Sequence, residues 1–372
     1  MTDPGDTSLY AGVMSGTSLD GIDVALVEIS GKPGGTPVKL RATHYRPYDA
    51  ATRAALLDLH HSASGELHRA QLIANDLARL YAAAVSALLR EAGVAPEQVR
   101  AIGCHGQTIR HRPEHGYTLQ LGNAALLAEL SGITVVSDFR SRDIAAGGQG
   151  APLVPAFHDK VLRHSAIHRV IVNIGGISNL TDLPPGRATT GFDCGPGNLL
   201  MDAWAARYRG ATYDHGGAWA ASGKVVPALL DALLSEPFLH SLPPKSCGRD
   251  LFNLAWLEGK LHGGERAAGV QATLLELTAR TISDSVRGYC AGAQEVYLCG
   301  GGAHNRALVQ RLQTSLPECR IQPTDALGLS ADWMEAVAFS WLAQQTLHGQ
   351  CANLPAVTGA RHPCVLGAIY QA

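Results

Sequence analysis

Twice in this chain an apolar run breaks at a short stretch of glycines, hydroxyls and acids or amides, and then resumes. The first break, Met14-Ser15-Gly16-Thr17-Ser18-Leu19-Asp20-Gly21-Ile22-Asp23, lies between residues 9–13 and 24–29. The second, Gly175-Gly176-Ile177-Ser178-Asn179, lies between residues 170–174 and 180–183, about 160 residues further on. Each reads as a strand, a glycine turn and a strand. Taken singly, such a turn is either an ordinary hairpin or an anion cradle. In the cradle, glycines let backbone N–H groups close on an anion, Thr17 and Ser18 add hydroxyl donors, and Asp20 or Asp23 holds a divalent cation beside it. The repetition points to a duplicated domain, and two such turns facing each other across a cleft would clamp a polyphosphate.

The length of 372 residues suits two domains. With 46% apolar and 17% charged residues the chain supports a sizeable core. A formal net charge of −2 gives no basic field for nucleic acid or an anionic membrane. No run of about 18 apolar residues is present, so no membrane span is expected. The acidic start, Met1-Thr2-Asp3-Pro4-Gly5-Asp6, lacks the apolar core of a secretory signal. Eight scattered cysteines without CxxC pairs fit reduced thiols in a cytoplasm better than a zinc site.

A strand around residues 38–43 follows a Gly/Pro turn at 31–36. Residues 66–92 show helical periodicity, closed by Gly93. A strand at 99–104 leads into His105-Gly106-Gln107-Thr108, polar residues placed where α/β sheets bind ligands, or else a plain polar loop. A strand at 133–137 ends in Asp138-Phe139-Arg140-Ser141-Arg142-Asp143 and a glycine loop at 147–150. These two arginines and two acids either grip a polyhydroxylated or carboxylated ligand or form a surface ion-pair cluster. Asp193, within Gly191-Phe192-Asp193-Cys194-Gly195-Pro196-Gly197-Asn198, is expected in a tight turn before a helix at 199–208, as a general base or as a helix cap. The strand 295–299 runs into Gly300-Gly301-Gly302-Ala303-His304-Asn305 and a helix; the spacing is not G-x-G-x-x-G, and the glycines suit close approach to a planar group such as adenine. A last long helix within 327–347 carries Asp332 and Glu335 near its start, and 363–372 returns as a loop and a short apolar element.

In order, MSGTSLDGID, NIGGISN and YLCGGGAHN resemble the phosphate 1, phosphate 2 and adenosine elements of the acetate and sugar kinase/Hsp70/actin superfamily. With GCHGQTIRH, DFRSRDIAAGGQGAPLVPAFH and GFDCGPGNLLMD added, nearly the whole chain resembles the anhydro-N-acetylmuramic acid kinases. The resemblance implies ATP-dependent opening of 1,6-anhydro-N-acetylmuramic acid and phosphorylation of O6, in recycling of cell-wall sugars. It implies that Asp193 activates water and that Gly16, Thr17, Ser18, Leu19, Asp20, Gly21, Ile22 and Asp23 bind ATP. Gly175, Gly176, Ser178 and Asn179, with Gly300, Gly301, Gly302 and Asn305, complete the expected nucleotide site. Mg²⁺ is expected near Asp20, and a homodimer is what the family suggests. By position after strands or at a helix start, His105, Arg140 and Glu335 are expected to touch the sugar.

The expected fold is α/β, with two related domains of the actin-like ATPase (ribonuclease H-like) type and a cleft between them. The expected boundaries are 1–168, with 350–372 packing back on it, and 169–349. Competing readings are another sugar or carboxylate kinase of the superfamily, an ATP switch that works through a protein partner, and a glycosidase using two carboxylates.

Overall fold

In a computed structural model the described residues are 7–16, 18–30, 38–61 and 63–372. Thr17 and the expected turn at 31–36 lie outside them. The chain divides into two compact units, Met1–Val161 with Trp333–Ala372, and Leu162–Asp332.

In the first unit, β1 (Thr7–Ser15), β2 (Gly21–Ser30) and β3 (Val38–Pro47) form an antiparallel meander. β4 (Val99–Arg112) lies parallel to β1, β5 (Tyr117–Leu121) folds back on its far half, and β6 (Val135–Ser137) runs parallel to its near half. The C-terminal strand Ala368–Tyr370 pairs antiparallel with β6. β1 and β2 are apolar in nearly continuous runs because both faces of the sheet are covered. The helix Glu66–Ala92 contributes Leu77, Ala78, Tyr81, Val85 and Leu88 to the core shared with Val13, Ile22 and Val24. It ends where Gly93 turns left-handed and its N–H bonds back to Arg90 and Leu89. By length and composition alone this helix could cross a bilayer; here its apolar stripe is spent on the sheet.

The helix Met334–Leu347 packs on the same sheet at unusually short range. A Cβ on Gly12 of β1 would lie 1.8 Å from the Ala336 carbonyl oxygen, and one on Gly103 of β4 would lie 2.0 Å from that of Phe339. Two glycines on neighbouring strands therefore let the helix backbone rest directly on the sheet.

In the second unit, β7 (Arg169–Ile174), β8 (Ile177–Leu183) and β9 (Thr190–Pro196) form a second meander. β10 (Glu295–Cys299) lies parallel to β7, and β11 (Arg320–Pro323) lies parallel to β10. The order β11-β10-β7-β8-β9 repeats the order β6-β4-β1-β2-β3 of the first unit. Both units therefore carry the same ribonuclease H-like arrangement. The core of the second is organised on the helix Ala267–Tyr289, buried along most of its length.

The division at 161/162 and 332/333 differs from the expected 168/169 and 349/350. The restart of the apolar pattern at β7 marks a strand, while the chain enters that unit at Leu162, whose carbonyl accepts from Arg169 at 3.0 Å. The helix Met334–Leu347 belongs to the first unit because its apolar residues cover β1 and β4.

Gly12→Ala should lower stability by about 3 kcal/mol or more, since the added methyl meets backbone that cannot rotate away. Urea unfolding of the two proteins measures this, and an unchanged midpoint would refute the close approach.

Candidate functional site

The first glycine turn is fixed from beneath. Ser15, at the end of β1, is 1% exposed, and its hydroxyl bonds the Tyr48 hydroxyl at 2.9 Å and the Gln107 side-chain carbonyl. The Gln107 amide then donates to the Gly16 carbonyl at 3.1 Å. Leu19 adopts φ +56° and its side chain is buried, as is that of Ile22. Gly16, Ser18 and Asp20 remain toward solvent, with Ser18 Oγ donating to Asp20 Oδ1 at 2.5 Å. Gly21 serves strand packing instead: a Cβ there would lie 2.5 Å from the Arg46 carbonyl and against the Tyr45 ring. Asp23 is half-buried on β2, opposite Met14 and Tyr45. Tyr48 carries no local sequence signal; it reaches Ser15 from 33 residues away, across β2 and β3.

The residues expected as a loop after residue 104 are strand. β4 continues through His105, Gly106 and Gln107 to Arg112. Gly106 takes φ +77°, and beyond it the strand pairs with β5. His105 is 4% exposed and its ring lies 4.8 Å from that of Phe339. Its Nε2 faces Arg140 Nε at 3.1 Å and Nη2 at 2.9 Å, so Nε2 is the accepting nitrogen and the ring proton sits on Nδ1. Burial, and then the guanidinium, push the His105 pKa down to about 3, so it stays neutral. Arg140 Nη1 donates to the Gly150 carbonyl at 2.8 Å. Burial brings the Arg140 pKa down to about 10, opposed by Glu335 and Asp143. Burial raises the pKa of Glu335, opposed by Arg140. The structure thus brings His105, Arg140 and Glu335 together.

Of the two arginines and two acids in the DFRSRD run, Arg140 and Asp143 turn inward while Asp138 and Arg142 face solvent. Asp143 is fully buried and accepts from Gly150 N at 2.8 Å, Asn353 Nδ2 at 2.6 Å and Thr358 Oγ1 at 2.7 Å. It pins the glycine loop to the C-terminal segment, so the surface ion-pair reading of this run fails for these two residues.

In the second unit the register aligns Cys299, Asn173, Asn179 and Asp193 in one row across β10, β7, β8 and β9. Asp193 is therefore on a strand, not in a turn before a helix; the helix begins only at Leu199. The glycines that suggested a turn serve packing: a Cβ on Gly197 would lie 2.2 Å from the Gly175 carbonyl oxygen. The pairing steps from Ser178–Gly195 to Asn179–Asp193, which leaves Cys194 as the extra residue of a bulge beside Asp193. The Asp193 N–H donates to the Lys245 carbonyl at 3.1 Å, and its Oδ2 accepts from Cys247 N at 2.9 Å. Burial raises the Asp193 pKa to about 6, opposed by the Cys247 N–H and the Lys245 charge. That value suits a carboxylate that must take a proton near neutrality.

The second glycine turn is latched to the start of the helix Leu199–Arg209. Asn198 N donates to the Gly175 carbonyl at 2.8 Å, and Gly197 N to that of Gly176 at 2.9 Å. The other side of the turn is open: a Cβ on Gly175 or Gly176 would come no nearer than 3.6 or 3.9 Å to anything. Gly300, at φ +77°, covers Asn173, and Gly302 covers Ile174, where a Cβ would clash at 2.4 and 2.2 Å. Gly301 is open: a Cβ there would come no nearer than 3.7 Å, to Asn198 Nδ2. Side-chain-free backbone at Gly175, Gly176 and Gly301 fits close contact with a phosphate or a planar ring. Ser178 and Asn305 have structural duties. Ser178 Oγ donates to the Gly195 carbonyl at 3.1 Å, and Asn305 Oδ1 caps the helix Arg306–Ser315 by accepting from Leu308 N at 3.1 Å.

The sequence profile described as anhydro-N-acetylmuramic acid kinase matches residues 8–372. The anhydro-N-acetylmuramic acid kinase of Nitrosomonas europaea is 58% identical, over 98% of this chain and 99% of that one. The enzyme of the same name from Thiobacillus denitrificans is 59% identical, over 98% and 97%, and that of Pseudomonas fluorescens 53%, over 98% and 99%. On this full-length likeness, the chain belongs to the anhydro-N-acetylmuramic acid kinase family.

Proposed function

We propose that Asp193 is the base of the family's reaction in this chain. The activity is ATP-dependent conversion of 1,6-anhydro-N-acetylmuramic acid to N-acetylmuramic acid 6-phosphate, in recycling of cell-wall sugars. An anhydro sugar has no free O6, so water must first open the bridge. Asp193 takes a proton from water as the water oxygen bonds to C1. The C1–O6 bond breaks, and O6 attacks the γ-phosphoryl group, releasing ADP. The observation that carries this reading is the Asp193 carboxylate itself, fixed through its Oδ2 and its own N–H to the 245–247 segment and held near neutral pKa. Above pH about 6 it is ionised and able to accept the proton.

The backbone of Gly16, Gly175 and Gly176 is proposed to hold the phosphates, with Gly301 beside the nucleotide base. Ser18 and Asp20 are the exposed oxygen donors of the first turn and suit a hard cation. Mg²⁺ would neutralise charge on the transferring phosphoryl group, with Asp20 as the chain's candidate ligand. Thr17 stays within the proposed nucleotide stretch on sequence alone. His105, Arg140 and Glu335 are the first unit's candidates for the sugar: a guanidinium braced by a neutral imidazole and a loop carbonyl suits a carboxylate or hydroxyl group. A cytoplasmic, homodimeric enzyme completes the proposal, supported by eight cysteines that form no disulfide for the first point and by the family resemblance for the second.

Mass spectrometry in ¹⁸O-labelled water with Mg-ATP and the anhydro sugar tests the base. One ¹⁸O at C1 of the trapped product is expected, with kcat down about 10²- to 10⁴-fold in Asp193→Asn. Full activity of that variant would remove Asp193 from the reaction. The variant should not be less stable. Because the folded pKa of Asp193 is raised, its stabilising contribution is fully present below pH about 4 and is lost as pH rises through about 6. Asn escapes that loss, so above pH 6 Asp193→Asn should gain up to about 3 kcal/mol over wild type, shrinking toward pH 4, in parallel denaturant titrations. Single alanine substitutions of His105, Arg140 and Glu335 should raise the sugar KM about tenfold or more while the ATP KM holds. A residue whose loss leaves sugar KM and kcat unchanged does not touch the sugar.

A further inference from the structure

Asp193 is cupped by a segment that is distant in sequence. The main chain of Lys245 and Cys247 meets it at two points, the Lys245 carbonyl on its N–H and the Cys247 N–H on its carboxylate. The Lys245 side chain turns back into the fold. Its Nζ donates to the Phe238 carbonyl at 3.2 Å and the Leu239 carbonyl at 3.0 Å. It also stands 4.9 Å from the Phe238 ring centroid and 5.9 Å from that of Phe192, the residue preceding Asp193. Two carbonyls and two ring faces form a built seat for one cation; they fix the ammonium to the helix Pro237–His240, with the Phe192 ring of the strand that carries Asp193 beside it.

We propose that Lys245 is a positioning residue for the reaction: its seated ammonium fixes the 245–247 segment around Asp193 and supplies the positive charge that keeps this carboxylate ionised in its buried site. The proposal rests on Asp193 being the base. The titratable groups that face Asp193 are Lys245 and Cys247 from the segment and Cys194 from its own strand. Burial pushes the Cys194 thiol up to about 12 and the Cys247 thiol higher still, so neither carries charge near neutrality. Lys245 is the one group of the three that is charged there. Burial lowers its pKa, opposed by Cys194, Cys247 and Asp193.

The sign follows from charge. A cation favours the carboxylate, so its removal raises the pH at which Asp193 gains its proton. In wild type the acid limb of kcat/KM is expected at pH about 6. Lys245→Met should move it upward by about half a unit to one unit, a modest shift because the lysine is partly solvated. Lys245→Gln, which keeps a donor for the two carbonyls but no charge, should do the same, and Lys245→Arg should return the limb to its wild-type position. A purely structural lysine gives a different result: kcat falls by one factor at every pH and the limb stays in place, which overturns the proposal. So does a limb that moves equally in Lys245→Arg and Lys245→Gln. Asp193→Asn, assayed alongside, separates the two ideas. If it keeps wild-type ring opening the base reading fails, whereas a dead Asp193→Asn with an unmoved limb in Lys245→Gln overturns only the role of Lys245.

Discussion

Backbone resting directly on backbone at strand ends is the constraint on which both halves of this chemistry depend. At the end of β7 the carbonyls of Ile174, Gly175 and Gly176 receive the Asn198 side chain and the N–H groups of Asn198 and Gly197, while Gly300 and Gly302 press on Asn173 and Ile174 from the other direction. A Cβ at Gly197, Gly300 or Gly302 would push these segments apart. The open glycines Gly175, Gly176 and Gly301 lie where they do because the closed ones hold them there. The same device works in the first unit through Gly12 and Gly103, which let the helix Met334–Leu347 settle on β1 and β4. That settling brings Phe339 against His105 and places Glu335 in the field of Arg140.

Electrostatics follows from this packing. His105, Arg140 and Glu335 are desolvated together, so their charges are decided as a group. A protonated His105 would face a guanidinium at about 3 Å in a site with little water, and it stays neutral and accepts instead. Asp143 is surrounded by three donors and fixes the loop whose carbonyl holds Arg140. The chain thus uses one buried carboxylate to build the site, fully bonded, and leaves another, Asp193, under-bonded.

Most strands, the helix at 66–92 and the repeated strand–glycine turn–strand unit were legible because apolar periodicity and glycine punctuation are local signals. The helix Glu66–Ala92 with its Gly93 stop is the clearest case. The position of Asp193 was not legible: it lies on β9 and not in a turn before a helix. Glycines at 191, 195 and 197 look the same in a sequence whether they bend the chain or admit a neighbour; here Gly197 admits the Gly175 backbone and Gly195 lies against the Leu239 and Thr281 side chains. His105 was placed past a strand end for a related reason: a left-handed glycine inside a strand cannot be told from one that ends it. Tyr48, Lys245 and Asn353 had no local signal at all, since each acts on a partner far away in sequence through a register or a packing contact that only the fold creates.

An under-bonded carboxylate is what the role proposed for Asp193 requires. A carboxylate that accepts from three or more donors has little affinity left for a proton and makes a poor base. One buried without help stays protonated at neutral pH and cannot accept a proton either. Burial on strand β9 pulls Asp193 toward the second extreme, and one N–H with a lysine charge pulls it back to about 6. The bulge at Cys194 belongs to the same balance. It breaks the regular pairing of β8 and β9 at the point where the carboxylate must turn to the Cys247 N–H, while the Asp193 main chain stays bonded to Lys245. A regular strand would have presented the side chain without holding it, and a turn would have held it more loosely. A bulged strand braced by a second segment suits the proposed base: held in place, and able to titrate at about 6.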